Sequence, residues 1–394
     1  MLLSYFIDEL LGTQGVKYIS TEESGDELTI SVEMPRKEHV CPRCRSVTDT
    51  VHDYRHQMIK AGSINHKHVS IDYRKRRYVC HECGKRFIEE NGFVGRYQRM
   101  AMAVIANIVN SLRDQVTFTH VAKENHVSPQ TVMRIFDQIC FPAPKHLPEA
   151  LGIDEFRGNA NKEKYQVILT DLSTGKVIDI LPDRRESTIT RYFLKYSREE
   201  RDKVKVFVSD MFREYDRIGQ AVFHNAVRVI DRYHWVRQIV WAIDNIRKRV
   251  QPHFGHSGQL YFKRSRNILI KRFNELYPDS QQNVLRMLEF SSDLDSAHYY
   301  KEMVLSLRDI DDLNEKIKKF HTVTDSMKNS GIRELERCAD TYYNWFPSIL
   351  NSLDCPYSNG FTEGCNNKIK VLKRIAFGFR NYPRFRNRIL HAFS

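Results

Sequence analysis

Acidic residues are missing from the whole stretch 364–394, which carries eight Lys or Arg. So one-sided a segment is suited to a polyanion, and nucleic acid is the expected partner. Long apolar runs are also missing. The longest, "MAMAVIANIV", has ten residues where a membrane span needs about 20, so no membrane partner is expected. The opening "MLLSYFIDELLG" lacks a basic region and carries acids among its apolar residues, so it does not read as a signal peptide. A cytoplasmic location is expected, where the eight Cys would not form structural disulfides. Gly and Pro nearly vanish between Gln259 and Phe346, with one of each, which leaves that stretch free to be helical. There is no fixed-period repeat and no low-complexity tract.

What is present describes a globular chain. Its 394 residues are 41% apolar and 11% aromatic, enough for two or three domains with proper cores. Lys and Arg exceed Asp and Glu by 62 to 49. Residues 36–100 hold 15 basic against 7 acidic side chains, so together with the C-terminal stretch they predict two separate basic surfaces.

The first of these contains "CPRC" and "CHEC". Two thiols spaced two residues apart suit a metal-binding knuckle, and Cys41, Cys44, Cys80 and Cys83 together suit one tetrahedral, structural Zn²⁺. His66, His68 and His81 are candidate substitutes for a thiolate. The run "HKHVSIDYRKRRYVC" alternates apolar and basic residues and predicts a strand. The other four cysteines, Cys140, Cys338, Cys355 and Cys365, form no spaced pair and are expected to be small buried or half-buried side chains.

Residues 97–113 have helical periodicity. In "TFTHVAKENHVSPQTVMRIFDQIC" a helix is expected to end near Asn125, and Ser128 with Pro129 marks the start of another. This is a helix-turn-helix pattern with Gln130, Thr131 and Arg134 placed to meet DNA, although two ordinary packed helices would read alike. The proline-rich "FPAPKHLPEA" reads as a linker. Beyond it, "LGIDEF", "EKYQVILTDLSTGKVIDILP", "KVKVFVSDMF" and "NAVRVIDRYH" read as strands, the second as a hairpin turning at "STG". The expected layout is an N-terminal segment 1–35, a zinc module 36–95 and a helix-turn-helix domain 96–148. An α/β core follows over 149–235 and 346–394, interrupted by a helical insertion 236–345.

Three carboxylates carry the chemistry of that core. Asp154 and Asp210 end apolar strands, where an Asp is often only a turn former. Glu363 begins a predicted helix whose apolar stripe is Ile369, Leu372 and Ile375, and it shares the opposite face with Asn367, Lys370 and Arg374. A first-turn Glu also complements a helix dipole with no further role. Brought together, the three acids would repel one another and call for divalent cations. A pair of Mg²⁺ or Mn²⁺ ions about 3.5–4 Å apart is the arrangement that cuts and joins phosphodiesters. Lys370 and Arg374 would then grip the DNA backbone.

"GIDEF", "SDM", "DRYHW" and "SNGFTEGCNNKIKVLKRIAFGFRNYPRFRNRIL" resemble the ISL-three family of bacterial insertion-sequence transposases, as does the order of parts along the chain. The resemblance implies an RNase H-like fold with a DDE triad at Asp154, Asp210 and Glu363. It implies a basic helper at Lys370 and an auxiliary motif at Asp231 and His234. The 153 residues between Asp210 and Glu363 are accommodated by the helical insertion. The implied activity is binding of terminal inverted repeats, hydrolysis at the element ends and joining of the 3′-hydroxyls to target DNA, in a homodimer. The first 140 residues suit a non-enzymatic DNA-binding regulator equally well, and the core alone suits another RNase H-like nuclease. Only the transposase accounts for both.

Overall fold

The computed structural model describes Ile7 and residues 15–64, 67–95 and 98–394. Most of "MLLSYFIDELLG", and His66, lie outside these. The chain forms two compact units, residues 1–142 with 370–394, and residues 143–369. Residues 346–369 fall in the unit of the α/β sheet and residues 370–394 in the unit of the N-terminal modules.

In the first unit, strands β1 (Lys17–Ser24), β2 (Glu27–Glu33), β5 (Val51–Ile64), β6 (Lys67–Val79) and β7 (Arg86–Ile88) form one sheet. The short pair β3 (His39–Val40) and β4 (Val47–Thr48) flanks the first cysteine knuckle. β6 is the run whose alternation predicted a strand. It turns Val69, Ile71, Tyr73 and Tyr78 inward, and also Arg76, one of the residues counted as basic surface. Arg76 is compensated by Glu33 and Glu89, the latter also accepting the Tyr73 hydroxyl at 2.7 Å.

Helices α1 (Met102–Ser111), α2 (Phe118–Glu124) and α3 (Pro129–Phe136) follow. Ser128 caps α3 by accepting from the Thr131 N–H, with Pro129 in the first turn as expected. Val121, Ala122, Val132 and Phe136 join a core with Ile108 and Leu112.

The second unit is built on a five-stranded sheet: β8 (Ala150–Phe156), β9 (Gln166–Asp171), β10 (Lys176–Leu181), β11 (Val206–Ser209) and β12 (Val227–Ile230), in the order β10-β9-β8-β11-β12. The first three strands are antiparallel and the last two run parallel to β8. This is the mixed sheet expected of an RNase H-like core. α4 (Glu186–Phe193) and α6 (Arg213–Val222) cover it with Ile189, Phe193, Tyr215 and Ile218, and the short α5 (Arg198–Arg201) lies between them.

The helical region starts a little earlier than the sequence suggested, with α7 (Arg232–Val250) leaving β12 directly. It continues through α8 (His256–Arg264), α9 (Arg266–Ile270), α10 (Pro278–Glu289), α11 (Ser292–Leu305), α12 (Leu313–Lys328), α13 (Arg333–Asn344) and α14 (Phe346–Asp354). α11 and α13 pack along α7. The core closes on Trp235, whose indole N–H donates to Ser352 Oγ at 2.9 Å while its carbonyl accepts from Tyr342. α15 (Gly360–Ile375) and α16 (Tyr382–Phe393) complete the chain. No described helix is long and apolar enough to cross a membrane.

Candidate active site and zinc centre

Strand register sets the level of the acidic residues. β8 and β11 pair with a constant offset, Val206 opposite Ala150 and Val208 opposite Gly152. Continued to the carboxyl edge of the sheet, that offset sets Asp210 beside Asp154. β11 and β12 pair Ser209 with Ile230, and the next step sets Asp231 beside Asp210. Three neighbouring parallel strands thus deliver an Asp at one level, at the sheet edge where open α/β folds bind ligands.

Asp154, Glu155 and Asp210 offer carboxylate oxygens within 4.8 Å of one another. Glu155 was not singled out in the sequence. It is held by Arg184 at 3.0 Å and by the Tyr215 hydroxyl at 3.0 Å. Asp154 takes the Glu155 N–H on one oxygen and Asn366 Nδ2 on the other, both at 2.8 Å. Asp210 Oδ1 accepts the Phe212 N–H at 3.1 Å. Burial, aided by the charges of Glu155 and Glu363, pushes the Asp154 carboxyl up to about 7. Burial with Glu155 and Asp154 pushes Asp210 up to about 7 as well. Both directions belong to buried acids crowded together.

Glu363 is grouped with Asp231 and His234, again within 4.8 Å, rather than directly with Asp154 and Asp210. It nevertheless stands close enough for its charge to act on Asp154. α15 carries it to the sheet on a buried polar face. Asn359 donates its N–H to Asp231 Oδ1 at 2.9 Å and its side-chain amide to the Ile153 carbonyl at 3.1 Å. Thr362 bonds Thr170 at 2.7 Å, and Asn366 reaches Asp154. Gly152 makes room for this contact. A Cβ there would lie 2.5 Å from Thr170 Oγ1 and 3.1 Å from Asn359 Oδ1. His234 sits beside Arg237, and burial with that charge lowers its pKa. Asn359, Thr362 and Asn366 are polar, so apolar periodicity gives no sign of them. Their spacing of three and four was the signal available.

The four spaced cysteines converge. Cys41, Cys44, Cys80 and Cys83 form one cluster, with Sγ separations of 3.6 Å for Cys41–Cys83 and 3.5 Å for Cys44–Cys80. Tetrahedral Zn–S bonds of about 2.3 Å imply edges of about 3.7 Å, so the four thiols suit a structural Zn²⁺. Each knuckle turns through a positive φ, at Arg45 (63°) and Gly84 (67°). His68 and His81 do not join the cluster. His68 packs against His126, and His81 pairs with Thr50 Oγ1 at 2.6 Å. Of the other cysteines, Cys338 and Cys365 are buried and Cys355 is half-buried, but Cys140 is exposed.

On the predicted recognition helix Gln130 and Arg134 are exposed, whereas the Thr131 hydroxyl is engaged with Ser128 Oγ at 3.0 Å. Lys370 and Arg374 are exposed on α15.

A zinc module, a helix-turn-helix and a mixed sheet edged with carboxylates define a DDE transposase, an enzyme of the DNA-recombining class. The chain belongs to the ISL3 family of transposases: residues 151–389 match its transposase domain. Residues 37–83 match the zinc finger of the IS204/IS1001/IS1096/IS1165 transposases, and residues 89–140 match the helix-turn-helix domain of the family. The chain is 25% identical over 382 residues to the transposase for insertion sequence element IS1001 of Bordetella parapertussis, covering 94% of this chain and 93% of that one. It is also 28% identical over 185 residues to a Lactococcus lactis subsp. lactis protein named an ATP-dependent protease, across 45% of this chain and 57% of that one. That name belongs to the relative. The family matches determine the class of this chain.

Proposed function

We propose that this transposase binds the terminal inverted repeats of an insertion sequence, hydrolyses a phosphodiester at each end and joins the freed 3′-hydroxyls to target DNA. The observation that carries the reading is the register that aligns Asp154 and Asp210 at the carboxyl edge of the sheet, with Glu363 brought near on α15. The full-length likeness to a transposase for an insertion sequence element supports the same substrate.

Asp154, Asp210 and Glu363 would hold divalent ions, Mg²⁺ or Mn²⁺. These oxygen donors suit such hard cations, and two carboxyls raised to about 7 mark a place where positive charge is wanted. When bound, such ions supply charge that stabilises the attacking and leaving oxygens of an in-line displacement. The chain's own residues do the rest. Asn366 orients Asp154, Arg184 and Tyr215 hold Glu155 in place, and the rigid sheet edge keeps the carboxylates at one level. Lys370 and Arg374 bind DNA phosphates, and Gln130 and Arg134 meet the element end. Paired ends call for a homodimer. Thr131 is engaged with the capping Ser128 and contributes less to DNA contact.

The test uses end-labelled inverted-repeat DNA, Mg²⁺ and purified Asp154→Asn, Asp210→Asn and Glu363→Gln proteins. Each variant is expected to bind the ends yet lose cleavage and joining by about a hundredfold or more. If all three cut and join as the parent does, the triad is wrong. If the parent only binds, a regulator replaces the enzyme at these ends.

A further inference from the structure

The resemblance groups Glu363 with Asp154 and Asp210, yet its near neighbours here are Asp231 and His234. Those two residues have no role in the mechanism above. Asp231 occupies the third place in the aligned row, one strand beyond Asp210. It is only 4% exposed. Its Oδ1 is taken by the Asn359 N–H at 2.9 Å, and Oδ2 makes no hydrogen bond or ion pair among the described residues. The free Oδ2 is not sealed from solvent, so a cation arriving through the adjoining cavity can reach it. His234 stands one helical turn further on and adds a nitrogen donor. Oxygen and nitrogen donors on one divalent ion lie about 3–4 Å apart, given bonds of about 2.0–2.2 Å. The three groups lie within 4.8 Å of one another, so a small contraction closes the shell.

Asp231 and Glu363 also line a cavity of about 680 Å³. Arg232, Arg308 and Lys316 line it too, so the site opens on a space suited to water and phosphate oxygens.

We propose that Asp231, His234 and Glu363 form a second cation site, chemically distinct from the all-oxygen site at Asp154, Glu155 and Asp210. This deepens the functional reading above and rests on its placing of Glu363 among the cation ligands. The two sites differ in donor set. Imidazole favours later first-row ions over Mg²⁺, whereas carboxylates alone serve Mg²⁺ well. The catalytic centre is therefore asymmetric. One ion position accepts Mg²⁺ readily, and the other favours ions of greater nitrogen affinity through His234, with Mn²⁺ ahead of Mg²⁺ and usable as the paramagnetic probe.

The experiment titrates full-length protein carrying one Zn²⁺ per chain with Mn²⁺, following free Mn²⁺ by electron paramagnetic resonance and bound Mn²⁺ by its ¹⁴N hyperfine coupling. The parent is expected to hold two ions. His234→Ala and the gentler His234→Asn should each weaken one by at least about tenfold and abolish the nitrogen coupling, with the thermal midpoint unchanged. Asp210→Asn should weaken the other ion and leave the nitrogen coupling intact. Mg²⁺ should displace the Asp210-dependent ion at lower concentration than the His234-dependent one. Unchanged Mn²⁺ affinity and coupling in both His234 variants would overturn the second site. So would loss of both ions in Asp210→Asn, since the sites would then not be separate. If the His234 site behaves as described while Asp210→Asn changes neither ion binding nor cleavage, the inference stands and the triad reading fails.

Discussion

Asp154 and Asp210 bind protons more tightly than ordinary carboxyls because burial and neighbouring acids disfavour their charged forms. The sign of the pH dependence follows. With folded values raised to about 7 from an ordinary value of 3.8, each acid holds a proton below about 7 that a cation must displace. Ion affinity should therefore climb as pH rises through 7 and level off above it. Calorimetric titration with Mn²⁺ is expected to give binding about tenfold or more weaker at pH 6 than at pH 8. Stability of the ion-free protein runs the other way. The contribution of these two groups is complete below about pH 4 and is lost as pH rises through 7. Asn366 works at the same scale. Asn366→Ala removes the amide donor from Asp154 Oδ2, so cleavage should fall about tenfold while end binding is unchanged. Gly152→Ala pushes a methyl into Thr170 and Asn359 and is expected to cost about 1–3 kcal/mol in denaturant unfolding.

Among the elements, the zinc module depends most on something other than its own core. β3 and β4 are two residues each, too short to hold the knuckles without the four thiolates joined. A strong chelator should release the zinc, seen with a colorimetric indicator, and open the two knuckles, residues 39–48 and 80–88, to protease. Cys80→Ser should do the same without chelator. The helical region is the opposite case. Its core stands on Trp235, Phe320, Tyr342 and Leu335, all nearly fully buried, so Phe320→Ala should cost about 3–5 kcal/mol through the cavity it leaves. Helix α15 lies between these extremes. Its later turns read correctly as an apolar stripe with a basic face, but its first turns bury polar side chains that bind the sheet. Apolar periodicity carries no information about such contacts.

For the whole molecule, the chain's return to its start is what the sequence concealed. α16 belongs to the unit that holds the zinc and helix-turn-helix modules. Arg388 is 1% exposed, and its guanidinium donates to the carbonyls of Leu112, Asp114 and Val116. Arg384 pairs with Asp137 and His391 Nε2 with the Val109 carbonyl. Arg388, one of the basic residues at 364–394 that suggested a DNA-facing surface, is thus an internal strut, and Arg384 is tied to Asp137. Arg388→Ala leaves those carbonyls unpaired in a buried place, and the N-terminal unit should lose about 2–3 kcal/mol or more. Lys at that position lacks the planar fork and should not restore it.

Composition, cysteine spacing and strand pattern by themselves determined the parts and their order, because knuckles, caps and alternating strands are local and each is encoded within a few residues. They also singled out Asp154, Asp210 and Glu363, since an acid at the end of an apolar strand or at the head of a basic helix stands out against its neighbours. Only the tertiary structure decided the company these acids keep. Glu155 beside the first pair, and Asp231 and His234 beside Glu363, follow from parallel register across three strands and from a helix returning from far along the chain. So does the fate of Arg76 and Arg388, surface-like in composition yet buried. Which partner meets a charge depends on pairing across long sequence separations, where no local pattern reaches.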